Sequence, residues 1–293
     1  MQDDSPRPVS RPRPARMLWI TAVWGGCFVA IRWGLRDAPV LWFATLRSVV
    51  AGLVLLAIGA AQRRPHPVGK RSWSLIGLLA LSNSSVAFAA MFAGVDGLAT
   101  GTAAVLANAQ PLLILMPAWW LYGERVNGRT AVGMLLGFVG LLMVALPGGG
   151  GTGAWLSVFA AVAITGGTLL SRQLTGVDIV QATGWHFLVG GVVLAVVASG
   201  VERLPAIRWT PRFLLVLAFL AVVGTALAFL AWFQEVQRSA LGPLAAWTFL
   251  TPLFGVAFGL VLTDERPGTW AAVGTAVVLL SLWTVVRASR GAT

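Results

Sequence analysis

Arg47 is the only basic residue set well inside an apolar run. It lies about eight residues from the start of that run, roughly 12 Å along a helix. A guanidinium at such depth in hydrocarbon is costly unless it is paired or faces water, so it is a candidate for gripping an anionic group through its planar fork of donors. Two other readings stay open: snorkelling to the headgroups, or bonding to backbone carbonyls freed elsewhere. Pro111 and Pro252 carry a different chemistry. Neither can donate to the carbonyl four residues earlier, at Ala107 and Thr248, so each predicts a bent helix and a freed carbonyl that water or substrate in a cavity can satisfy. Near them stand Asn108 and Gln110 in one stretch, and Trp247, Thr248 and Thr251 in the other. Asn83, flanked by Ser82, Ser84 and Ser85, reads as an interhelical hydrogen-bonding cluster or as part of a polar site. His186, between Trp185 and Phe187, could titrate near neutral pH or be a satisfied interhelical histidine. Trp24, Trp185, Trp232 and Trp247 lie deep in their runs and offer flat apolar walls to a ligand.

Other chemistry has little support. Two histidines, one of them His66 in a gap between apolar runs, and a single cysteine, Cys27, do not make the clustered nucleophile or metal set that an intramembrane enzyme needs. No catalytic residue, metal or cofactor is therefore expected. Glu124 and Glu265, each followed by an arginine, read as ion-paired residues at hairpin ends. The nearest carboxylate to a midplane position is Glu235, which gives a carboxylate proton relay little footing. Gly148, Gly150 and Gly153 satisfy GxGxxG but follow an apolar run rather than a strand, so they read as a linker and not as a dinucleotide site.

The elements that must position these residues follow from composition. The chain has 293 residues, 57% hydrophobic and 11% charged, with 14 tryptophans. That leaves too little polar surface for a soluble globule of this length and puts the chain in a bilayer. Its net charge of +11 resides in short gaps between apolar runs, which argues for a membrane and against nucleic acid. Ten runs of spanning length are expected, at 17–35, 39–60, 73–94, 98–121, 129–147, 154–173, 179–199, 212–234, 241–262 and 268–286. The second five repeat the first at an offset of 141 residues: Gly25-Gly26 falls on Gly166-Gly167, Phe88 on Phe229, Pro111 on Pro252 and Gly133 on Gly274. An odd number of spans per repeat inverts the second copy relative to the first, with a site expected near the midplane between the halves. Counting Lys and Arg in the gaps gives fourteen on the side that holds both termini and six on the other, which predicts cytoplasmic termini.

At this point the residues resemble a known family. Ala22 to Arg32 with its Trp24-Gly25-Gly26-Cys27-Phe28 core, the Leu46-Arg47 pair, and the Pro111 to Glu124-Arg125 and Pro252 to Glu265-Arg266 hairpins are similar to EamA-type members of the drug/metabolite transporter superfamily. Members usually carry Ser-Asn where this chain has Gly26-Cys27. The resemblance implies an all-α membrane fold of ten transmembrane helices in two inverted five-helix repeats. The expected divisions are a disordered basic tail 1–16, repeat one 17–147, a linker 148–153, repeat two 154–287 and a tail 288–293. It also implies a secondary transporter, exporter or exchanger, of a small metabolite such as an amino acid derivative, working by alternating access in the cell membrane. A lipid flippase or multidrug carrier of the same superfamily is the alternative. The partners expected are a small-molecule substrate and the lipid bilayer, with the chain acting as a monomer or homodimer. The expected site set is Arg47, Asn83, Asn108, Gln110, Trp24, Trp185, His186, Trp232, Trp247, Thr248 and Thr251, with helix kinks at Pro111 and Pro252.

Overall fold

The computed structural model describes residues 11–96, 100–124, 127–145, 152–262 and 269–290, and these are helical almost throughout. In chain order the helices are α1 (Pro14–Gly34), α2 (Val40–Ala61), α3 (Lys70–Asp96), α4 (Thr100–Ala107), α5 (Gln110–Leu113), α6 (Leu115–Tyr122) and α7 (Gly128–Ala145). They continue as α8 (Thr152–Arg172), α9 (Ile179–Val201), α10 (Pro211–Arg238), α11 (Leu241–Leu262) and α12 (Thr269–Arg290). Among the described residues, seven helices are long and apolar enough to cross a bilayer: α1, α2, α3, α8, α9, α10 and α11. Shorter apolar stretches, Gly128–Gly140 and Ala272–Val285, fall in α7 and α12. The Glu265-Arg266 pair, Arg125, and Gly148 and Gly150 of the expected linker lie outside the described residues.

Helix starts follow local chemistry. Pro14 and Pro211 occupy first-turn positions where a missing N–H costs nothing. The Thr210 hydroxyl accepts from the Phe213 N–H, and the Asp178 carboxylate accepts from the N–H groups of Val180 and Gln181, so α10 and α9 begin with their orphan donors satisfied. Because α1 begins at Pro14, the last residues of the expected tail are helical.

The packing crosses between the two halves of the sequence. α2 lies along α9, α7 along α12, α1 against α11 and α3 against α8. The α2–α9 pair approaches closely because its contact faces carry glycine: a Cβ on Gly52 would stand 2.6 Å from the Leu188 backbone N, and one on Gly191 2.9 Å from that of Val49. Aromatic side chains fill the interior, with Phe43, Phe92, Phe187, Phe213, Trp232 and Phe233 fully buried. The outside is apolar as well: Leu53, Leu135, Val196, Leu215 and Leu279 are exposed, which is the surface of a chain whose solvent is lipid. Trp19, Trp73, Trp155, Trp209, Trp270 and Trp283, near helix ends, are also exposed, as interfacial anchors should be.

Two helices widen in the middle. Residues Ala80–Val86 of α3 and Phe219–Leu227 of α10 are π-helical, and the 141-residue offset carries the first onto positions 221 to 227. Hydroxyls explain part of the widening. Ser85 Oγ donates to the Ala80 carbonyl at 3.2 Å and Thr225 Oγ1 to the Leu220 carbonyl at 2.7 Å, each reaching five residues back and competing with the regular ladder.

The proline-bearing stretches are interrupted just before the prolines. α4 stops at Ala107 and α5 resumes at Gln110, ahead of Pro111, while Trp247–Phe249 tightens to a 3₁₀ turn ahead of Pro252. The ring forbids regular geometry in the preceding turn. In the first stretch this opens the helix completely, and in the second it only overwinds it.

Candidate functional site

A cavity sits where these irregular segments meet. It is lined by Trp24, Cys27 and Phe28 of α1, Arg47 of α2, Phe88 and Met91 of α3, Ala107, Asn108 and Gln110 at the α4–α5 break, Ile164 of α8, Phe229 of α10 and Thr251 of α11. Its volume is about 50 Å³, room for a few waters at roughly 10–15 Å³ each.

Arg47 is its one charged wall among the described residues, and it is 2% exposed. The side chain is held on three sides. Nε donates to Thr225 Oγ1 at 2.7 Å, and Nη2 donates to the Gly224 carbonyl at 3.4 Å and to Cys27 Sγ at 3.9 Å. Both of the first two acceptors belong to the π segment of α10. The guanidinium carbon stands 4.4 Å from the centre of the Phe88 ring and 5.7 Å from that of Phe92, within cation–π range. Nη1 is buried and has no hydrogen-bond partner. No carboxylate forms an ion pair with Arg47 among the described residues, so its charge is met only by dipoles and ring faces. A carboxylate or phosphate oxygen entering the cavity would meet a buried donor already oriented by its neighbours.

The rest of the wall is apolar with a few polar points. The Trp24 ring lies 5.2 Å from Phe229 and 5.4 Å from Trp232, and its Nε1 is buried without a partner, as is Thr251 Oγ1. Gln110 Nε2 donates to Thr168 Oγ1 at 2.7 Å, and Asn108 Nδ2 turns back on the Ala104 carbonyl at 2.7 Å. An orphaned guanidinium nitrogen, an indole N–H and a hydroxyl in an aromatic chamber form a small set of polar groups suited to one polar end of a mostly apolar molecule.

The structure therefore gathers Arg47, Trp24, Asn108, Gln110 and Thr251 around one space. Trp232 stands behind Trp24, with Nε1 3.4 Å from Thr168 Oγ1. The remaining expected residues lie elsewhere. Asn83 is buried in the π segment of α3, beside hydroxyls that fasten helices: Ser82 Oγ to the Ala163 carbonyl at 2.6 Å, Ser84 Oγ with Ser48 Oγ at 2.5 Å, and Ser85 Oγ to the Gly190 carbonyl at 3.0 Å. Trp185 packs edge-on against Trp73 at 5.3 Å, and His186 is buried near Phe233. Trp247 packs against the interior cluster, and the Thr248 hydroxyl bonds to the Ala245 carbonyl of its own helix. Thr225, Cys27, Phe88 and Phe229 are wall or support residues that residue type alone did not single out. A threonine in a continuous apolar run reads as packing, and the signal for it was its register, 141 residues after Ser84.

Charged residues crowd the rims. On one side Asp37, in the α1–α2 turn, accepts from Arg212 Nη2 at 2.6 Å and Nε at 3.1 Å and lies 3.4 Å from Arg208 Nη2. The Arg212 hydrogen bond holds its carboxyl below the ordinary value of 3.8. Glu202 caps the start of α2 through the N–H groups of Leu41 and Trp42. At other helix ends Glu124 pairs with Arg172 at 2.7 Å and accepts from the Leu241 N–H at 2.8 Å. Glu235 is gripped by Arg238 at 2.6 Å and Arg16 at 3.2 Å. Each cluster joins the first half of the sequence to the second.

Comparison with known proteins agrees with this architecture. The model of the EamA-like transporter family matches twice, over residues 17–146 and 151–287. The chain is 30% identical over 277 residues to a chloroplastic WAT1-related protein of Arabidopsis thaliana, covering 89% of this chain and 66% of that protein's length. It is 28% identical to an uncharacterized transporter of Synechocystis, covering 90% and 86% of the two chains. A probable amino-acid metabolite efflux pump of Escherichia coli is 25% identical over 94% of this chain and 95% of its own. One solved crystal structure superposes with a TM-score of 0.79 at 19% identity, covering 95% of this chain and 99% of that one, which establishes a shared fold.

Proposed function

The chain belongs to the EamA-like transporter family, and on that premise we propose that it is a secondary transporter carrying a small metabolite with an anionic or zwitterionic end and an apolar body. The single observation behind the substrate class is Arg47: a buried guanidinium with no carboxylate partner among the described residues and a free Nη1, in an aromatic chamber. In this reading ten membrane helices form two inverted repeats of five, with the divisions between them near residues 147 and 154, and both termini face the cytoplasm of the cell membrane. Movement between the halves exposes Arg47 to either side in turn. Two features support alternating access. The cavity of about 50 Å³ is far below the roughly 300 Å³ at which ligand pockets begin, so a metabolite enters only if helices part. The rim ion pairs join the halves at points that can open and close. The name of the Escherichia coli relative, a probable amino-acid metabolite efflux pump, fits such a substrate.

The test uses purified protein in liposomes loaded with labelled amino acids, organic acids, sugars and cations. The parent should exchange a carboxylate-bearing compound, and Arg47→Leu should lose that exchange while keeping its melting profile in detergent. Normal exchange by the leucine variant, or a parent that moves only neutral compounds, would sink the reading.

A further inference from the structure

A second concavity lies on the opposite face of α1, outside the central cavity. It is an apolar groove of about 460 Å³ lined by Ala22, Gly26, Val29 and Trp33 of α1, Leu215 and Phe219 of α10, and Phe258 and Leu262 of α11, among others. Leu215 and Leu262 on its walls are 73% and 50% exposed, so the groove faces the exterior of the helix bundle. For a membrane chain the exterior at that level is lipid. The twelve residues from Ala22 to Trp33 span roughly 16 Å of helix, about half the ~30 Å hydrocarbon thickness, so the groove runs the depth of one leaflet.

Gly26 shows that the groove is not a packing defect. A Cβ on its neighbour Gly25 would stand 2.6 to 2.8 Å from Phe254 Cβ, the Gly255 N and the Thr251 carbonyl, so Gly25 is required by α11. A Cβ on Gly26 would have the Phe219 and Phe258 ring atoms as its nearest neighbours, at 3.6 and 3.7 Å, an ordinary contact. At the repeated positions the pattern differs: Gly167, the counterpart of Gly26, would collide with Asn83 at 2.5 Å. The second-half glycine is held by a protein neighbour, whereas Gly26 keeps open a space that no described protein atom occupies.

The outer end of the groove is basic. Arg32 precedes and Arg36 follows Trp33, and Arg212 precedes Leu215 by one helical turn. With Arg208 this end holds four arginines against one carboxylate, Asp37, which pairs with Arg208 and Arg212. The Arg36 side chain is exposed.

We infer that the groove between α1, α10 and α11 binds one acyl chain of an anionic glycerophospholipid, with the headgroup phosphate at the rim beside Arg36. At the roughly 10–15 Å³ per water-sized group used for the central cavity the space takes about thirty to forty-five such groups, ample for one acyl chain, and excess positive charge at the rim selects a negative headgroup.

The experiment is native mass spectrometry of the purified full chain with equimolar phosphatidylglycerol and phosphatidylcholine. The parent should retain one phosphatidylglycerol in roughly tenfold preference, the effect of one or two basic residues beside a headgroup. Gly26→Leu, which fills the floor of the groove, should lose the lipid. Gly77→Leu, at a helix position where a Cβ meets nothing within 4 Å, should keep it. Arg36→Gln, a surface change that does not depend on repacking, should retain a chain but lose the preference. The inference is overturned if the parent binds both lipids equally or neither, if Gly26→Leu binds like the parent, or if Arg36→Gln still selects phosphatidylglycerol.

Discussion

The two π-helical segments occupy the same register in the two halves of the chain and do different things. In the first, Ser84 meets Ser48, Ser85 meets the Gly190 carbonyl, and Ser48 in turn donates to the Phe187 carbonyl at 2.7 Å. These bonds tie α3 to α2 and α9 and end within the protein. In the second, Thr225 stands where Ser84 stood and Gly224 where Asn83 stood, and both turn their oxygens to Arg47. A widened turn leaves carbonyls without their regular donors. In the first segment Ser85 reaches back to the Ala80 carbonyl while the hydroxyls hold neighbouring helices, and in the second the Gly224 carbonyl is met by a guanidinium beside a cavity. Duplication supplied the same backbone irregularity twice, and divergence of a few side chains made one copy a fastener and the other a mount.

The most severe way to break that contrast, short of removing the charge, is Arg47→Lys. The ammonium keeps the charge but loses the planar fork and the Nε bond to Thr225, so half-saturating substrate concentration in counterflow assays should rise at least tenfold, about the worth of one hydrogen bond to a charged group. An unchanged value would mean that charge alone suffices. Thr225→Val should come next. It leaves Arg47 in place but unsupported at Nε, so affinity should fall several-fold, up to roughly tenfold, and the melting temperature should fall as well, because a buried charged donor loses its acceptor.

Ser84→Ala is the matched substitution in the other half. It should leave substrate affinity alone and cost about 1 kcal/mol of stability, the net value of a neutral buried hydrogen bond, read as a lower melting point in detergent. If Ser84→Ala weakened transport as much as Thr225→Val, the functional division between the segments would be wrong.

The smallest effect concerns how the two π-bearing helices are anchored. Asp37 holds Arg212 at the start of α10, whereas Arg71, at the same register on α3, makes no ion pair among the described residues. Since the Asp37 carboxyl is held below 3.8 in the folded protein, its contribution is complete above that value and disappears as pH falls through the lower, folded one. The melting-point gap between parent and Asp37→Asn should therefore be constant from about pH 8 to pH 5 and close below about pH 4. A gap that persisted in strong acid would show that the carboxylate charge is not what the anchor uses.

Much of this was legible in the chain itself. Apolar runs of spanning length, the arginine-rich gaps and the 141-residue register come from composition and period, and these are local properties that a bilayer enforces because every backbone polar group must be satisfied within its own helix. Arg47 was legible for the same reason: a charge within an apolar run has few fates. The prolines marked where helices fail, though not that one stretch would break and the other merely overwind. That difference depends on neighbours, since Gln110 bonds across to Thr168 while Thr248 bonds back within its own helix.

What only the tertiary structure decided is which side chains share a space. Trp24, Trp185, Trp232 and Trp247 are equivalent in sequence, deep tryptophans all, yet one lines the cavity, one backs it and two pack elsewhere. Asn83 reads as a site residue and Thr225 as a packing residue, yet the fold sets Thr225 against Arg47 of the cavity wall and Asn83 away from the cavity lining. Sequence fixes the depth of a residue through its distance from the helix end. The rotation of a helix about its axis, and so the face on which a residue lies, is set by interlocking with helices distant in the chain, where glycines such as Gly25 and Gly52 let backbones touch.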